Sequence, residues 1–239
     1  MKNKIYCVVL AGGIGTRMSH FTKDVPKSMI PVNGVPFIVR QIELLARNGI
    51  TDIILSVGYK SHVIRDYVGD GKKWNVSIKY VDEGDELRGT GGAIRFIEEN
   101  KFLPTKFFLL YGDSYLDVDY KKIWETFDRL GKPALMTVLK NSGNWDVSNV
   151  IFGNKALILY DKFAKDKNKM KYVDYGLAIL TKKAVQKYFF EKKIFDLADI
   201  YNLLSKKSLL AGYEIKNRFY EIGSSKGLKE LCDKLNEKI

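Results

Sequence analysis

The chain has 239 residues, 46% hydrophobic, 13% aromatic and 28% charged, a balance that excludes a disordered or fibrous polypeptide and suits a globular enzyme. Its 40 Lys and Arg against 28 Asp and Glu leave a net charge of +12, which is compatible with nucleic acid, an anionic membrane or anionic small substrates. Only eight of those cations are arginine, and the lysines are scattered without interleaved aromatics, so neither a nucleic-acid face nor a membrane surface is expected.

At this length one domain is the default. Cys7 and Cys232 are too few for a disulfide scaffold and lack metal-ligand spacing, so both are expected to be reduced. The apolar run after Met1–Lys4 is too short for a signal sequence and ends in glycines. No apolar stretch approaches a membrane span, which makes a cytoplasmic location the default.

In chain order, residues 5–10 read as a buried strand, 37–48 as a helix stopped by Gly49, and 52–57 as a second strand. A short helix over 60–67, a strand over 77–81, a helix over 92–99 and a strand over 107–111 follow. This alternation predicts an α/β fold, a doubly wound, mostly parallel sheet with helices on both faces. The second half is less regular. A helix is predicted over 120–130 and a strand over 134–139. Residues 149–152 and 157–160 form a hairpin turning at Gly153-Asn154, and 173–180 is a further strand. Helices over 182–190 and 197–205, a strand over 212–215 and a terminal helix from Lys226 complete the chain. The basic run 162–171 reads as a loop.

Leu10-Ala-Gly-Gly-Ile-Gly-Thr-Arg17 leaves the carboxyl end of the first strand, where a doubly wound sheet places its ligand crevice. Gly12, Gly13 and Gly15 lack Cβ atoms, so backbone N–H groups of Leu10–Thr16 can approach phosphate oxygens closely. Thr16 adds a hydroxyl and Arg17 a forked cation. The spacing is neither that of a P-loop nor that of the dinucleotide fingerprint. Lys27 follows Pro26 and precedes an apolar triplet, a setting unlike that of a solvated surface lysine. Asp113 ends the apolar strand Leu109-Leu-Tyr-Gly-Asp, where Gly112 allows close approach and a carboxylate suits Mg²⁺. Asp117 and Asp119 read as turn or capping residues. Gly89-Thr90-Gly91-Gly92 opens a helix whose positive end suits an anion.

Together these motifs, in this order and spacing, resemble the sugar-1-phosphate nucleotidyltransferase family, from Ile5 to about Leu231. Within it, the compact bacterial heptose-1-phosphate guanylyltransferases and muramic-acid-phosphate uridylyltransferases are most similar. The resemblance implies a Rossmann-like nucleotidyltransferase fold with a small β-hairpin sugar-binding subregion. It implies one domain over 1–239, with a nucleotide part over about 1–118 and an acceptor part over about 119–239. The implied reaction is attack by a sugar phosphate oxygen on the α-phosphorus of a nucleoside triphosphate, releasing pyrophosphate. Both reactants are anions, so charge neutralisation and in-line positioning do most of the work.

By resemblance, Arg17 holds the triphosphate and Lys27 bridges the phosphates. Leu10, Ala11, Gly12, Gly13, Gly15, Thr16, Gly89, Thr90 and Gly91 bind nucleotide, with Glu86 and Arg88 standing near the base. Asp113 holds Mg²⁺ with Glu221, which occupies the place of the usual aspartate before Ile222-Gly223, while Ser224 caps the next helix. Lys162 meets the acceptor phosphate, and Asn149, Asp174 and Gly176 line the sugar site. Asp174 in place of asparagine favours hydroxyl donors and repels an anionic substituent. His20 and His62 read as surface histidines.

The best specific reading is guanylyl transfer to heptose 1-phosphate for surface-glycan synthesis. Alternatives are cytidylyl transfer to phosphocholine or another non-sugar phosphate, a non-catalytic nucleotide-binding regulator, and a basic nucleic-acid-binding protein. The partners expected are the nucleoside triphosphate and the sugar 1-phosphate, with a homodimer left open.

Overall fold

A computed structural model describes residues 4–18, 22, 25–84, 86–141, 143, 146–153, 156–165 and 167–237. His20, Trp145 and Asn154 lie outside the described residues, as does the side chain of Arg17. The chain divides into two compact units with interleaved segments. The first comprises residues 1–87, 110–117 and 219–239, the second 88–109 and 118–218. The division expected near residue 118 puts 88–109 and 219–239 on the other side.

In the first unit, β1 (Tyr6–Leu10) pairs in parallel with β4 (Asp52–Val57), and β4 in parallel with β5 (Ser77–Asp82). β1 and β4 are near-continuous apolar runs, as strands covered on both faces require, whereas β5 alternates buried and exposed residues. Between β1 and β4 lie two short strands, β2 (Pro31–Val32) and β3 (Val35–Pro36), antiparallel to each other, and helix α1 (Phe37–Arg47). The β2–β3 pair was not apparent in the sequence because two residues per strand show no periodicity. Helix α1 buries Phe37, Ile38, Gln41, Ile42, Leu44 and Leu45 on one face, the 3.6-residue stripe of an amphipathic helix. Helix α2 (Ser61–Val68) follows β4. A core of Met18, Ile30, Val32, Phe37, Leu44, Tyr115, Ile222 and Leu231 lies beneath the loops of this unit.

In the second unit, helix α3 is Gly89–Glu99, and β6 (Lys106–Tyr111) carries the chain back into the first unit, where β7 (Ser114–Tyr115) follows. Helix α4 (Tyr120–Leu130) begins at Asp119, whose carboxylate accepts from Lys122 N at 2.9 Å; Asp119 is thus the expected cap. Strand β8 (Ala134–Lys140) pairs antiparallel with β11 (Tyr172–Thr181) and parallel with β12 (Leu210–Ile215). Strands β9 (Val150–Phe152) and β10 (Ile158–Tyr160) form the expected antiparallel hairpin. The longer strands of the first unit, β1, β4 and β5, are parallel, and those of the second are mixed. Helices α5 (Lys182–Tyr188) and α6 (Leu197–Lys206) start at Thr181 and Asp196, each of which caps with its side chain.

The first unit closes with β13 (Tyr220–Glu221), antiparallel to β7, and helix α7 (Ser225–Asn236). Ser224 caps α7 by accepting from Gly227 N at 3.0 Å. Among the described residues no helix is long and apolar enough to cross a membrane.

Candidate active site

Within the first unit the glycine loop is fixed at both ends by backbone bonds. Ala11 N donates to Ser56 O at 2.8 Å, and Leu10 O accepts from Gly112 N at 2.9 Å. Leu10 and Ala11 therefore frame the loop through their main chain. A methyl group placed on Gly112 would lie 2.4 Å from the Leu10 carbonyl oxygen, so only glycine lets the Asp113 turn approach β1 this closely. Gly13 faces open space, whereas Gly15 has φ +72° and would bring a methyl group to 2.9 Å from Lys27 Cβ. The loop glycines thus differ in purpose: Gly13 leaves space and Gly15 seats the lysine. Thr16 begins the 3₁₀ turn Thr16–Met18.

Lys27 opens a second 3₁₀ turn, Lys27–Met29, directly after Pro26. Its Nζ lies 2.6 Å from Asp113 Oδ2. The pair joins residues 86 apart in the chain and is only partly exposed, at 15% for the lysine and 31% for the aspartate side chain. Charged groups held this close in a partly dry crevice interact more strongly than surface pairs do.

Glu221 stands in register with Ser114, and Ile222 N donates to Asp113 O at 3.0 Å. Its main chain is therefore beside Asp113. Its carboxylate, however, accepts from Ser224 Oγ at 2.6 Å and from Gly223 N. It is thus held at the start of α7, where an anion suits the helix end.

A residue that sequence reasoning missed also meets the loop. The Glu83 carboxylate accepts from Ser56 Oγ at 2.6 Å, and its Oε1 lies 3.2 Å from where a Gly12 methyl would stand. The signal available in the sequence was an acid directly after a strand, in Val81-Asp82-Glu83-Gly84. A cavity of about 440 Å³ opens alongside, lined by Gly58–His62, Asp82 and Gly84. A methyl group on Gly58 would be 3.3 Å from Gly12 O, so cavity and glycine loop adjoin. His62 lines this cavity.

In the second unit, the turn opening α3 is packed against its own polypeptide. Gly91 N and Gly92 N both donate to Phe195 O, at 3.0 and 3.3 Å. Methyl groups on Gly89, Gly91 and Gly92 would meet Phe195 O, the Phe195 ring and Lys193 O at 2.6, 2.4 and 2.2 Å. These glycines make room for the chain at 193–196, and the first donors of α3 are engaged there. Thr90 Oγ1 donates to Asp196 Oδ1 and accepts from Leu197 N, both at 2.9 Å. Arg88 lays its guanidinium over the Phe96 ring, 4.2 Å from its centroid.

The acceptor residues expected from the sequence are brought together in this unit. Asn149 Oδ1 accepts from Asp174 N at 3.0 Å, and Asn149 O accepts from Asp161 N at 2.9 Å. Asp174 Oδ1 accepts from Gly176 N at 2.9 Å. Gly176 has φ +94° and sits where the β11–β8 register shifts between Asp174 and Ala178, a bulge that re-aims the Asp174 side chain. Burial pushes the Asp174 carboxyl up to about 6, against the opposing pull of the Gly176 N–H and Lys162. Lys162 Nζ lies 3.4 Å from Asp196 Oδ2. Asp196 therefore links Lys162 to Thr90, a role no local pattern announced.

The chain belongs to the nucleotidyl transferase family, which it matches over residues 6–145. Within that family it is a sugar-1-phosphate nucleotidyltransferase. It is 32% identical over 186 residues to a D-glycero-alpha-D-manno-heptose 1-phosphate guanylyltransferase of Campylobacter jejuni, covering 78% of this chain and 80% of that protein. It is 29% identical to the glucose-1-phosphate cytidylyltransferase of Salmonella typhimurium, over 61% of this chain and 65% of the relative. The crystal structure of HddC from Yersinia pseudotuberculosis superposes with a TM-score of 0.80 at 27% identity, covering 97% of this chain and 99% of HddC. HddC has also been solved in complex with GMP-PN. The α/β nucleotidyltransferase fold expected from the sequence is therefore the fold of this chain.

Proposed function

We propose that the chain transfers a guanylyl group from GTP to a heptose 1-phosphate in a Mg²⁺-dependent step, acting as one catalytic domain. A non-bridging oxygen of the sugar phosphate attacks the α-phosphorus, the bond to the β-phosphate oxygen breaks, and pyrophosphate leaves. Lys27 would neutralise charge at the reacting phosphates, with Arg17 and the backbone of Gly12–Thr16 on the triphosphate. Lys162 would meet the acceptor phosphate, and Asn149, Asp174 and Gly176 the sugar.

Asp113 fits a hard divalent cation, which needs an oxygen ligand at a strand end and takes its remaining ligands from phosphates and water. A bound Mg²⁺ would stabilise the charge developing on the phosphate oxygens. Both carboxylates are engaged by neighbours, Asp113 by Lys27 Nζ and Ser114 Oγ and Glu221 by Ser224 Oγ and Gly223 N, so each would exchange such a contact for a bond to the ion. Gly89, Thr90 and Gly91 would act on the nucleotide by shaping the turn.

The observation that carries the guanine assignment is Glu83. A carboxylate beside the phosphate loop is repelled by phosphate, so the part of a nucleotide it suits is a hydrogen-bond donor. Guanine offers N1–H and an exocyclic amino group side by side. The guanylyl-transferring relative at 32% identity supports the same base and sugar. The test is pyrophosphate release with each of the four ribonucleoside triphosphates and dTTP against a panel of sugar 1-phosphates. Expected is turnover of GTP with a heptose 1-phosphate, abolished in Asp113→Ala. A preference for another base or sugar would replace those assignments. Triphosphate binding without turnover of any pair would favour a regulator.

A further inference from the structure

Gln41 lies on the buried face of α1 and is 0% exposed. Its Nε2 donates twice, to Tyr111 O at 2.9 Å and to Ser114 O at 2.8 Å. These carbonyls flank Gly112-Asp113, the turn that carries the carboxylate. The amide orientation is forced, because the alternative would set Oε1 against two carbonyl oxygens. As it stands, Oε1 is buried and, among the described residues, has no hydrogen-bond partner. A buried, half-satisfied amide is costly, and exchange for an apolar side chain would remove that cost at Oε1 while taking the Nε2 donor from two carbonyls.

The same helix also governs Lys27. Phe37 N, at the start of α1, donates to Ile30 O at 3.0 Å, and Ile30 N donates to Lys27 O at 3.1 Å. One rigid element therefore reaches both members of the Lys27–Asp113 pair, through its first turn to the lysine and through Gln41 to the aspartate. On its other sides the Asp113 turn is held by Gly112 N on Leu10 O and Ile222 N on Asp113 O.

We propose that Gln41 is a positioning residue that fixes the Asp113 carboxylate relative to Lys27 by clamping the two carbonyls around it. This rests on the reading of Asp113 as the metal-holding carboxylate. Displacing a reacting group by an ångström is enough to cost about 10²-fold in rate, so the clamp acts on kcat and on metal affinity, while the KM of the acceptor, which depends on residues of the other unit, stays as it is.

The experiment compares Gln41→Met, which keeps length and loses both donors, and Gln41→Asn, which keeps the amide one methylene short, with Leu45→Ala. Leu45 is buried on the same helix and its apolar side chain has no hydrogen bond to offer these groups. Melting temperature, kcat, KM for each substrate and Mn²⁺ affinity by electron paramagnetic resonance with GTP present are measured for all four proteins. Expected is a kcat lowered at least about tenfold in Gln41→Met, weaker Mn²⁺ binding, and a smaller loss in Gln41→Asn. In Leu45→Ala the melting temperature falls while kcat and Mn²⁺ affinity hold. Gln41 variants whose kcat and Mn²⁺ affinity match those of Leu45→Ala would overturn the proposal, and Gln41→Asn decides it should Gln41→Met fail to fold. Full activity and Mn²⁺ binding in Asp113→Asn would instead sink the underlying reading of Asp113.

Discussion

At the residue scale, Asp174 illustrates how burial sets chemistry. Its carboxyl is raised to about 6 chiefly because the charged form loses hydration, the ordinary direction for a buried acid. The folded state therefore holds this proton up to a higher pH than the unfolded chain does. The stability it contributes is complete below the ordinary aspartate pKa and is lost as pH rises through about 6. Wild-type unfolding free energy should fall between about pH 4 and pH 6 by more than that of Asp174→Asn, measured by urea denaturation across that range. In the proposed acceptor role the same titration would act on binding, since the ionised carboxylate accepts from hydroxyl donors more strongly than the protonated acid does. The KM for the acceptor should rise as pH falls through about 6 in wild type, beyond the change seen in Asp174→Asn, which corrects for titration of the substrate phosphate itself. Lys27 belongs to the same scale. Removing a cation aimed at developing charge costs about 10²–10³ in kcat, so Lys27→Met should lose that much in a steady-state assay.

At the scale of elements, the glycine turn before α3 joins the chain at 193–196. Gly91 would carry a methyl group into the Phe195 ring, and overpacking of this kind costs about 1–3 kcal/mol. Gly91→Ala should therefore lower the melting temperature by several degrees as read by calorimetry. Asp196 caps α6 through Ala198 N while holding Thr90 and Lys162. Loss of a cap alone costs about 0.5–2 kcal/mol. Asp196→Ala should lose at least that in chemical denaturation, and Asp196→Asn, which retains an acceptor oxygen, should lose less. The sequence presented the Gly89–Gly92 turn as a helix start suited to an anion. What it could not convey is that Phe195, distant along the chain, takes the donors of Gly91 and Gly92. Local glycine spacing looks the same whether a phosphate or a polypeptide makes the close approach.

For the whole molecule, the net charge of +12 sets a long-range field that favours encounter with a polyanionic triphosphate. Raising ionic strength from about 0.05 to 0.5 M shortens the screening length to a few ångströms. The KM for GTP should then rise several-fold with little change in kcat, and a salt-independent KM would confine the electrostatics to the site itself. Much of this protein was legible in its amino-acid order. The strand–loop beginning, the glycine loop, Lys27 after Pro26, Asp113 at a strand end and the caps at Asp119 and Ser224 are patterns that close within a few residues, and propensity and spacing act at that range. Only the tertiary structure decided which carboxylate serves which partner. It set Glu83 beside Gly12, turned the Glu221 carboxylate to Ser224, tied Asp196 to Thr90 over 106 residues and clamped the Asp113 turn with Gln41 over 70. All of these contacts but the local one from Ser224 to Glu221 depend on strand pairing and helix packing between distant segments, and a side chain's chemistry is fixed by what that packing leaves within hydrogen-bonding reach.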